Sequence, residues 1–291
     1  MRNTRIATRI TLLLLVSLVN LIASPFLPRS TAAAPKPPDG PTEFIRRINL
    51  TTNDLVYSST TGKIYASLPS AAGSSGNSIA AIDPTTGLVT STTFIGSEPN
   101  KLALSDDGHS LYVSLDGASA IRRFDALTNT PGFQFTIGQD SFFGRYGITD
   151  LAVAPANPNT VAIARQFPGI SPSEAGVAVF DDGVRRTNTG PGHLSGADYL
   201  AFSASASKLY GSPPSGGIQT LNLDASGVSL GSTVVPNASG NIKFSNGLVF
   251  TSGGHVVNPD TGSLLGTFAN ATRFPSCLPS FLIPLPDAPT I

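Results

Sequence analysis

Few residues in this chain have side chains suited to catalysis or metal binding. There are three histidines, His109, His193 and His255, and one cysteine, Cys277. His109 follows a turn and reads as a solvated turn residue, and His255 begins a strand after Gly253-Gly254 and carries no further signal. His193 falls in an irregular Gly/Pro-rich stretch, Thr189 to Gly196. No two histidines stand at metal-ligand spacing and Cys277 has no partner, so the sequence supports neither a zinc site nor an intrachain disulfide. Asp106-Asp107-Gly108 and Asp181-Asp182-Gly183 lack the alternating acids and closing Glu of a calcium loop and read as turns. There is no Gly-x-Ser-x-Gly elbow, and the Gly-rich stretch Ala72 to Gly76 precedes no helix that could hold a phosphate. The expectation is therefore no metal and no cofactor.

What remains is recognition chemistry. Gly138 to Thr149 (GQDSFFGRYGIT) carries Phe142, Phe143, Arg145 and Tyr146, three aromatics and a cation within five positions. Aromatic and Arg side chains are the usual anchors of binding surfaces. The alternative reading tucks the two Phe rings into the core. Arg165, Glu174 and His193 are expected to approach the same face, whereas Arg122-Arg123 reads as a solvated strand edge.

The elements that must position these residues are short strands. The chain has 291 residues with 29 Gly, 24 Pro and no Trp, a composition suited to many turns. Lys+Arg and Asp+Glu are equal at 18 each, so there is no electrostatic footprint for nucleic acid. Lys101 to Gly132 shows the repeating unit. Leu102 and Leu104, then Leu111 and Val113, alternate with the period of a half-buried strand, and Ser105-Asp106-Asp107-Gly108 forms the hairpin between them. A third run, Ala120 to Phe124, ends in Asp125.

The unit recurs. Strand a is read at Asp54–Tyr57, Lys101–Leu104, Asp150–Val153, Tyr199–Phe202 and Asn241–Phe244, with starts 42 to 49 positions apart. Strand b follows at Lys63, Ser110, Thr160, Lys208 and Leu248. Strand c ends in Ile82-Asp83, Phe124-Asp125, Phe180-Asp181, Leu223-Asp224 and Val257-Asn258, where a short polar side chain can accept from the backbone of the next turn. Strand d is read at Val89–Ile95, Phe133–Ile137, Val184–Thr187, Val228–Val235 and Leu264–Phe268. Four short strands at this period predict an all-β fold, a β-propeller of four-stranded blades. About five modules are visible, which leaves open an incomplete propeller. Glu43 to Leu50 reads as a lone strand without an evident partner.

Phe94 to Ser114, with its Gly96-Ser97-Glu98-Pro99 entry, Ala103 to Gly108 hairpin and Tyr112-Val113 strand, together with the Ile82 to Gly87 turn, resembles the YVTN-type repeat of bacterial secreted β-propellers. The resemblance runs over residues 50 to 268 and is strongest in the first two modules. It implies a seven-bladed propeller outside the cell, and it implies no single activity, because that fold hosts lyases, lactonases, dehydrogenases and pure binders.

The N-terminus points the same way. Arg2, Arg5 and Arg9 precede the apolar run Ile10 to Ala23, and Ala32-Ala33 supply a cleavage site. Residues 1–33 are expected to be a signal peptide, 34–42 a linker, 43–270 the repeats and 271–291 a Pro-rich tail. The mature protein is then secreted, periplasmic or at the cell surface, without a membrane span. In a propeller the b–c and d–a loops share one face, and the long segments here (69–77, 138–149, 166–175 and 188–198) all belong to that set. The leading reading is a non-enzymatic scaffold that binds a protein or glycan through this face. A second reading is a lactonase- or lyase-type enzyme with His193, Arg145, Arg165 and Glu174 converging at the channel mouth. A third is a truncated propeller with no function of its own.

Overall fold

The computed structural model describes residues 47–190, 197–238 and 240–268. The expected signal peptide, linker and Pro-rich tail, with His193 and Cys277, lie outside the described residues. Five antiparallel four-stranded sheets follow one another along the chain. The first is β1 (Asp54–Ser58), β2 (Lys63–Leu68), β3 (Ser78–Ile82) and β4 (Val89–Phe94). The second is β5 (Pro99–Leu104), β6 (Ser110–Leu115), β7 (Ala120–Asp125) and β8 (Thr130–Thr136). A two-stranded ribbon, β9 (Gln139–Asp140) and β10 (Gly144–Arg145), precedes the third. The third is β11 (Gly147–Ala154), β12 (Asn157–Gln166), β13 (Glu174–Asp181) and β14 (Val184–Arg185). The fourth is β15 (Tyr199–Phe202), β16 (Lys208–Ser212), β17 (Ile218–Asp224) and β18 (Gly227–Val235). The fifth is β19 (Ile242–Ser245), β20 (Leu248–Thr251), β21 (His255–Asn258) and β22 (Ser263–Thr267). These are propeller blades. Their innermost strands β1, β5, β11, β15 and β19 pack each beside the next and line one central cavity of about 570 Å³.

Period-two alternation divides each strand b between two neighbours. Leu111 faces blade one while Tyr112 faces blade three, and Leu209 faces blade three while Tyr210 faces blade five. Four buried clusters result, one at each junction from blade one through blade five. A smaller fifth cluster joins Ala66, Leu68, Ala80 and Ile82 of blade one to Leu50, Ile64 and Ala72. Among the described residues no buried cluster joins blade five to blade one.

The strand-b tyrosines also carry polar ties. Tyr65 donates its hydroxyl to the Ala126 carbonyl at 2.5 Å and Tyr112 donates to the Pro158 carbonyl at 2.8 Å, each bond crossing to the following blade. The inner strands are tied by carboxylates. Leu102 N donates to Asp54 Oδ2 at 3.0 Å and Leu200 N donates to Asp150 Oδ2 at 2.8 Å, so an acid at the start of one strand a satisfies an edge N–H of the next. Burial pushes the Asp150 carboxyl up, against the opposing pull of Lys243, the Leu200 and Leu151 amides and Lys101.

Four of the five turns after strand c form as expected, whereas the Asp181 carboxylate is taken by Thr160 Oγ1 and the Arg186 guanidinium instead of by the backbone of its turn. Asp83 Oδ1 accepts from Thr85 N and Thr86 N, Asp125 Oδ1 from Leu127 N and Thr128 N, Asp224 Oδ1 from Ser226 N and Gly227 N, and Asn258 Oδ1 from Asp260 N and Thr261 N. At the Gly-x-x-Pro entry, Gly96 has φ +140°, and a Cβ there would stand 2.6 Å from Leu115 Cδ1.

Three expectations need correction. The described part of the lone N-terminal strand, residues 47–50, is not extended in a ladder, because no sheet edge pairs with it; only Leu50 is anchored, by packing on blade one. The outer strand of blade three ends at Arg185 instead of Thr187. Beyond it Arg186 N and Gly190 N still donate to Val179 O and Val177 O of β13, while Asn188 between them bridges Gly227 of the neighbouring blade, donating to Ser226 O and accepting from Val228 N. Arg122 and Arg123 are not a solvated edge. Arg122 donates to Ile95 O and Gly132 O, and Arg123 to Asn159 Oδ1 and Ser110 Oγ.

Tyr112→Phe keeps the ring but leaves the Pro158 carbonyl without its donor, and it is expected to lower unfolding free energy by about 1–2 kcal/mol in a urea titration. A neutral result would show that the hydroxyl tie does not contribute. Acid sensitivity follows from the turn aspartates. Backbone N–H groups hold the Asp83 and Asp125 carboxyls, and the Ser226 hydroxyl and amide hold Asp224, below the ordinary carboxylate value of 3.8. A depressed folded-state pKa contributes stability above the unfolded value, and that contribution is lost as pH falls through the folded one. The melting temperature is expected to fall as pH drops below about 4, and less steeply in a triple Asp→Asn variant at these positions.

Candidate functional site

The 138–149 segment is built as a raised ribbon. β9 and β10 pair Gln139 with Arg145 and Asp140 with Gly144. Asp140 Oδ1 accepts from Phe142 N at 2.8 Å and Phe143 N at 2.9 Å, so the tip is a closed Asx turn. Strand β11 starts at Gly147, two residues before the expected end of the loop, because Gly147 and Ile148 already pair with Gln166 and Arg165. Phe142 stands 86 % exposed at the tip, and Phe143, 36 % exposed, meets it edge-on at 4.9 Å. The tip ring is thus outside the core.

Below the tip the rings form a continuous chain of tilted contacts. Phe143 lies 4.7 Å from Phe167, Phe167 lies 5.5 Å from Tyr146, and the Arg165 guanidinium lies 4.4 Å from the Tyr146 ring centre. Phe167 belongs to the b–c loop of blade three and is buried there, so two long loops brace one another. Arg145 is exposed on the ribbon beside the tip.

Arg165 is 3 % exposed and has no acidic partner among the described residues. Its role follows from a bulge. Between the pairs Ala164↔Val177 and Gln166↔Glu174, β13 carries an extra residue, and Gly176 takes φ +77° there. The bulge turns carbonyls off the ladder. Arg165 Nη2 donates to Ala175 O at 2.9 Å and Nε to Gly176 O at 3.4 Å, while Nη1 has no partner among the described residues. Desolvation pulls the guanidinium pKa down, opposed by Tyr146.

Arg165 and Glu174 do not meet. Val161 and Ile163, four and two residues before Arg165, face blade two, whereas Ala162 and Ala164 face blade four with Gln166 in phase. Glu174 is the ladder partner of Gln166, so it lies on the blade-four side. The bulge and strand parity therefore put the two charged groups on opposite faces of one sheet. The ribbon, Arg165 and Glu174 share the long-loop side of the blades, and His193 lies outside the described residues. Two features were not anticipated. The large central cavity is walled by a–b turn residues such as Asp106, Pro155, Ser203 and Asn246, and so lies toward the short-turn end. A second cavity of about 230 Å³ is lined by Asn100, Lys101, Thr149, Gln166 and Asp198 at the long-loop end. Sequence spacing gives no signal for either, because each wall is assembled from several blades.

No family model matches the chain, and no curated protein matches it in sequence. Solved structures do match in fold. The chain is similar to the β-propeller domain of Myceliophteria thermophila Cps50 (Swd1), with a TM-score of 0.52 and 14 % identity over 74 % of this chain and 66 % of that one. It is similar to a functionally unknown protein from Desulfotomaculum acetoxidans, with a TM-score of 0.51 and 13 % identity over 76 % and 70 %. It is also similar to Kuenenia stuttgartiensis hydrazine synthase, with a TM-score of 0.50 and 13 % identity over 74 % of this chain and 57 % of that one. At such identities the likeness establishes the propeller fold, and fold alone does not carry an activity.

Arg165→Met removes the donors to the Ala175 and Gly176 carbonyls while keeping the buried stem. A loss of about 2–3 kcal/mol in unfolding free energy is expected, with increased hydrogen exchange at Tyr146 and Gly147. Unchanged exchange there would mean that Arg165 does not brace the ribbon.

Proposed function

We propose that this protein is an exported, non-enzymatic scaffold of the YVTN-repeat type that binds a protein or glycan through the long-loop side of its blades. The observation that carries the reading is Phe142, a large apolar ring held 86 % exposed by an Asx turn and a braced aromatic stack. An apolar anchor that is already ordered loses little conformational entropy on binding. Arg145 beside it supplies a cation and hydrogen-bond donors, the other residue type enriched at binding hot spots. The charged n-region, apolar run and Ala33 cleavage site support export.

The test begins with the full chain probed on a glycan array and against surface proteins of its source. Phe142→Ala and Arg145→Ala are each expected to weaken the captured interaction by about 1–2 kcal/mol without lowering the melting temperature. Asp107→Ala and Thr85→Ala, at the opposite turns, are expected to leave affinity unchanged. A ligand whose binding depends on Asp107 and not on Phe142 would overturn the reading.

A further inference from the structure

Taking Phe142 as the binding anchor proposed above, the surface around it selects one class of partner. The ribbon is a ridge. Its strands pair over Gln139, Asp140, Gly144 and Arg145 alone, and the tip carries Ser141, Phe142 and Phe143 clear of the ladder. Neither of the two cavities includes a ribbon residue in its wall. Among the described residues the ring that touches Phe142 is Phe143, edge-on, so most of the tip ring is open. Small ligands bind in concavities that bury most of their surface. A ridge is buried only if the partner supplies the concavity.

The charges on this ridge are of one sign. The ribbon and the b–c loop that braces it contain three charged residues, Asp140, Arg145 and Glu174. Asp140 is half-buried, and its Oδ1 holds the Phe142 and Phe143 amides. Glu174 is buried. Arg145 is exposed, and among the described residues no hydrogen bond or ion pair engages its guanidinium. Pro168 extends the apolar part at the foot of the ribbon. It is exposed, and its Cγ stands 3.3 Å from where a Cβ on Gly147 would lie.

An apolar ridge with one cation is complemented by an apolar cup with a carboxylate on its rim, since a carboxylate accepts two parallel bonds from a guanidinium. A carbohydrate fits less well. Its hydroxyls need acceptors as well as donors, and both carboxylates of this surface are withdrawn. A bilayer offers no cup, and even a whole myristoyl chain gives only marginal membrane binding; one exposed ring buries less apolar surface. We infer that the partner is a protein whose apolar cup takes the Phe142 ring while a carboxylate on the rim of the cup pairs with Arg145.

Carboxymethyl-β-cyclodextrin is a defined cup of this kind, an apolar cavity as wide as a phenyl ring with a carboxylate rim. Calorimetric titration into the full chain is expected to show saturable binding. Amino-β-cyclodextrin, with a cationic rim, is expected to bind several-fold more weakly, and linear maltoheptaose, the same sugar without a cup, not at all. Phe142→Ala is expected to weaken binding about tenfold at an unchanged melting temperature. Arg145→Gln should erase the preference between the two rims, and Phe94→Ala, at another exposed ring, should change nothing. Replacing Phe142 by p-benzoylphenylalanine then reads the natural partner. Irradiation with surface proteins of the source is expected to give one protein adduct, at an apolar site bearing Asp or Glu, that Arg145→Glu removes. Maltoheptaose binding like the cups, no preference for the anionic rim, or adducts with glycan or lipid would overturn the inference while leaving Phe142 a binding anchor. Cup binding and array capture that are both indifferent to Phe142→Ala would overturn the anchor as well.

Discussion

The structure depends on packing between blades. A four-stranded blade is apolar on both faces, and a single sheet cannot bury both. Each strand b therefore sends alternate side chains to two different neighbours. Tyr65, Tyr112 and Tyr210 fill the forward junctions, and blade three has Ala162 at the same position. The junction behind Ala162 is accordingly built of small residues, Ala154, Ala164 and Ala197, filled from the far side by Phe202, Leu209 and Leu221. The tyrosine hydroxyls add direction to this packing. Those of Tyr65 and Tyr112 each reach a carbonyl of the next blade, so these two junctions fix register as well as burial.

A consequence of radial packing is that inner strands expose one edge. Those edges would leave N–H groups unpaired in the cavity wall. Asp54 and Asp150 satisfy them across blade boundaries, and the Ser67 hydroxyl satisfies an edge carbonyl, that of Asn100, at 2.6 Å. The polar character of the inner wall is thus first a solution to backbone hydrogen bonding.

The same economy explains the ribbon. Phe142 could not be held in water by its own preference, since an isolated two-stranded ribbon is marginal. Its position is inherited through Phe143, Phe167 and Tyr146 from the blade-three core, and through Arg165 from the bulge. The buried guanidinium is the costly part of this chain of contacts. It is tolerated because the Ala175 and Gly176 carbonyls would otherwise be buried without donors.

The five blades were legible in the sequence because alternation, turn residues and the Asp or Asn after strand c are all local, and local chemistry repeats with the unit. The Asx turns at Asp83, Asp125, Asp224 and Asn258 formed where they were read. The lone strand did not, since a strand is defined by a partner and none was specified nearby. Arg165 and Glu174 looked convergent because each ends a strand on the same side of the blades. One extra residue at Gly176, together with strand parity, sends them to opposite faces, and only the pairing register reveals it. The exposure of Phe142 was likewise undecided by composition, because a Phe-Phe pair suits a core and a surface equally; the Asx turn and the Phe167 brace decided it. The cavity holding Gln166 and Asp198 has no sequence signature at all. It exists because blades distant in sequence are brought together by the burial that each alone cannot achieve.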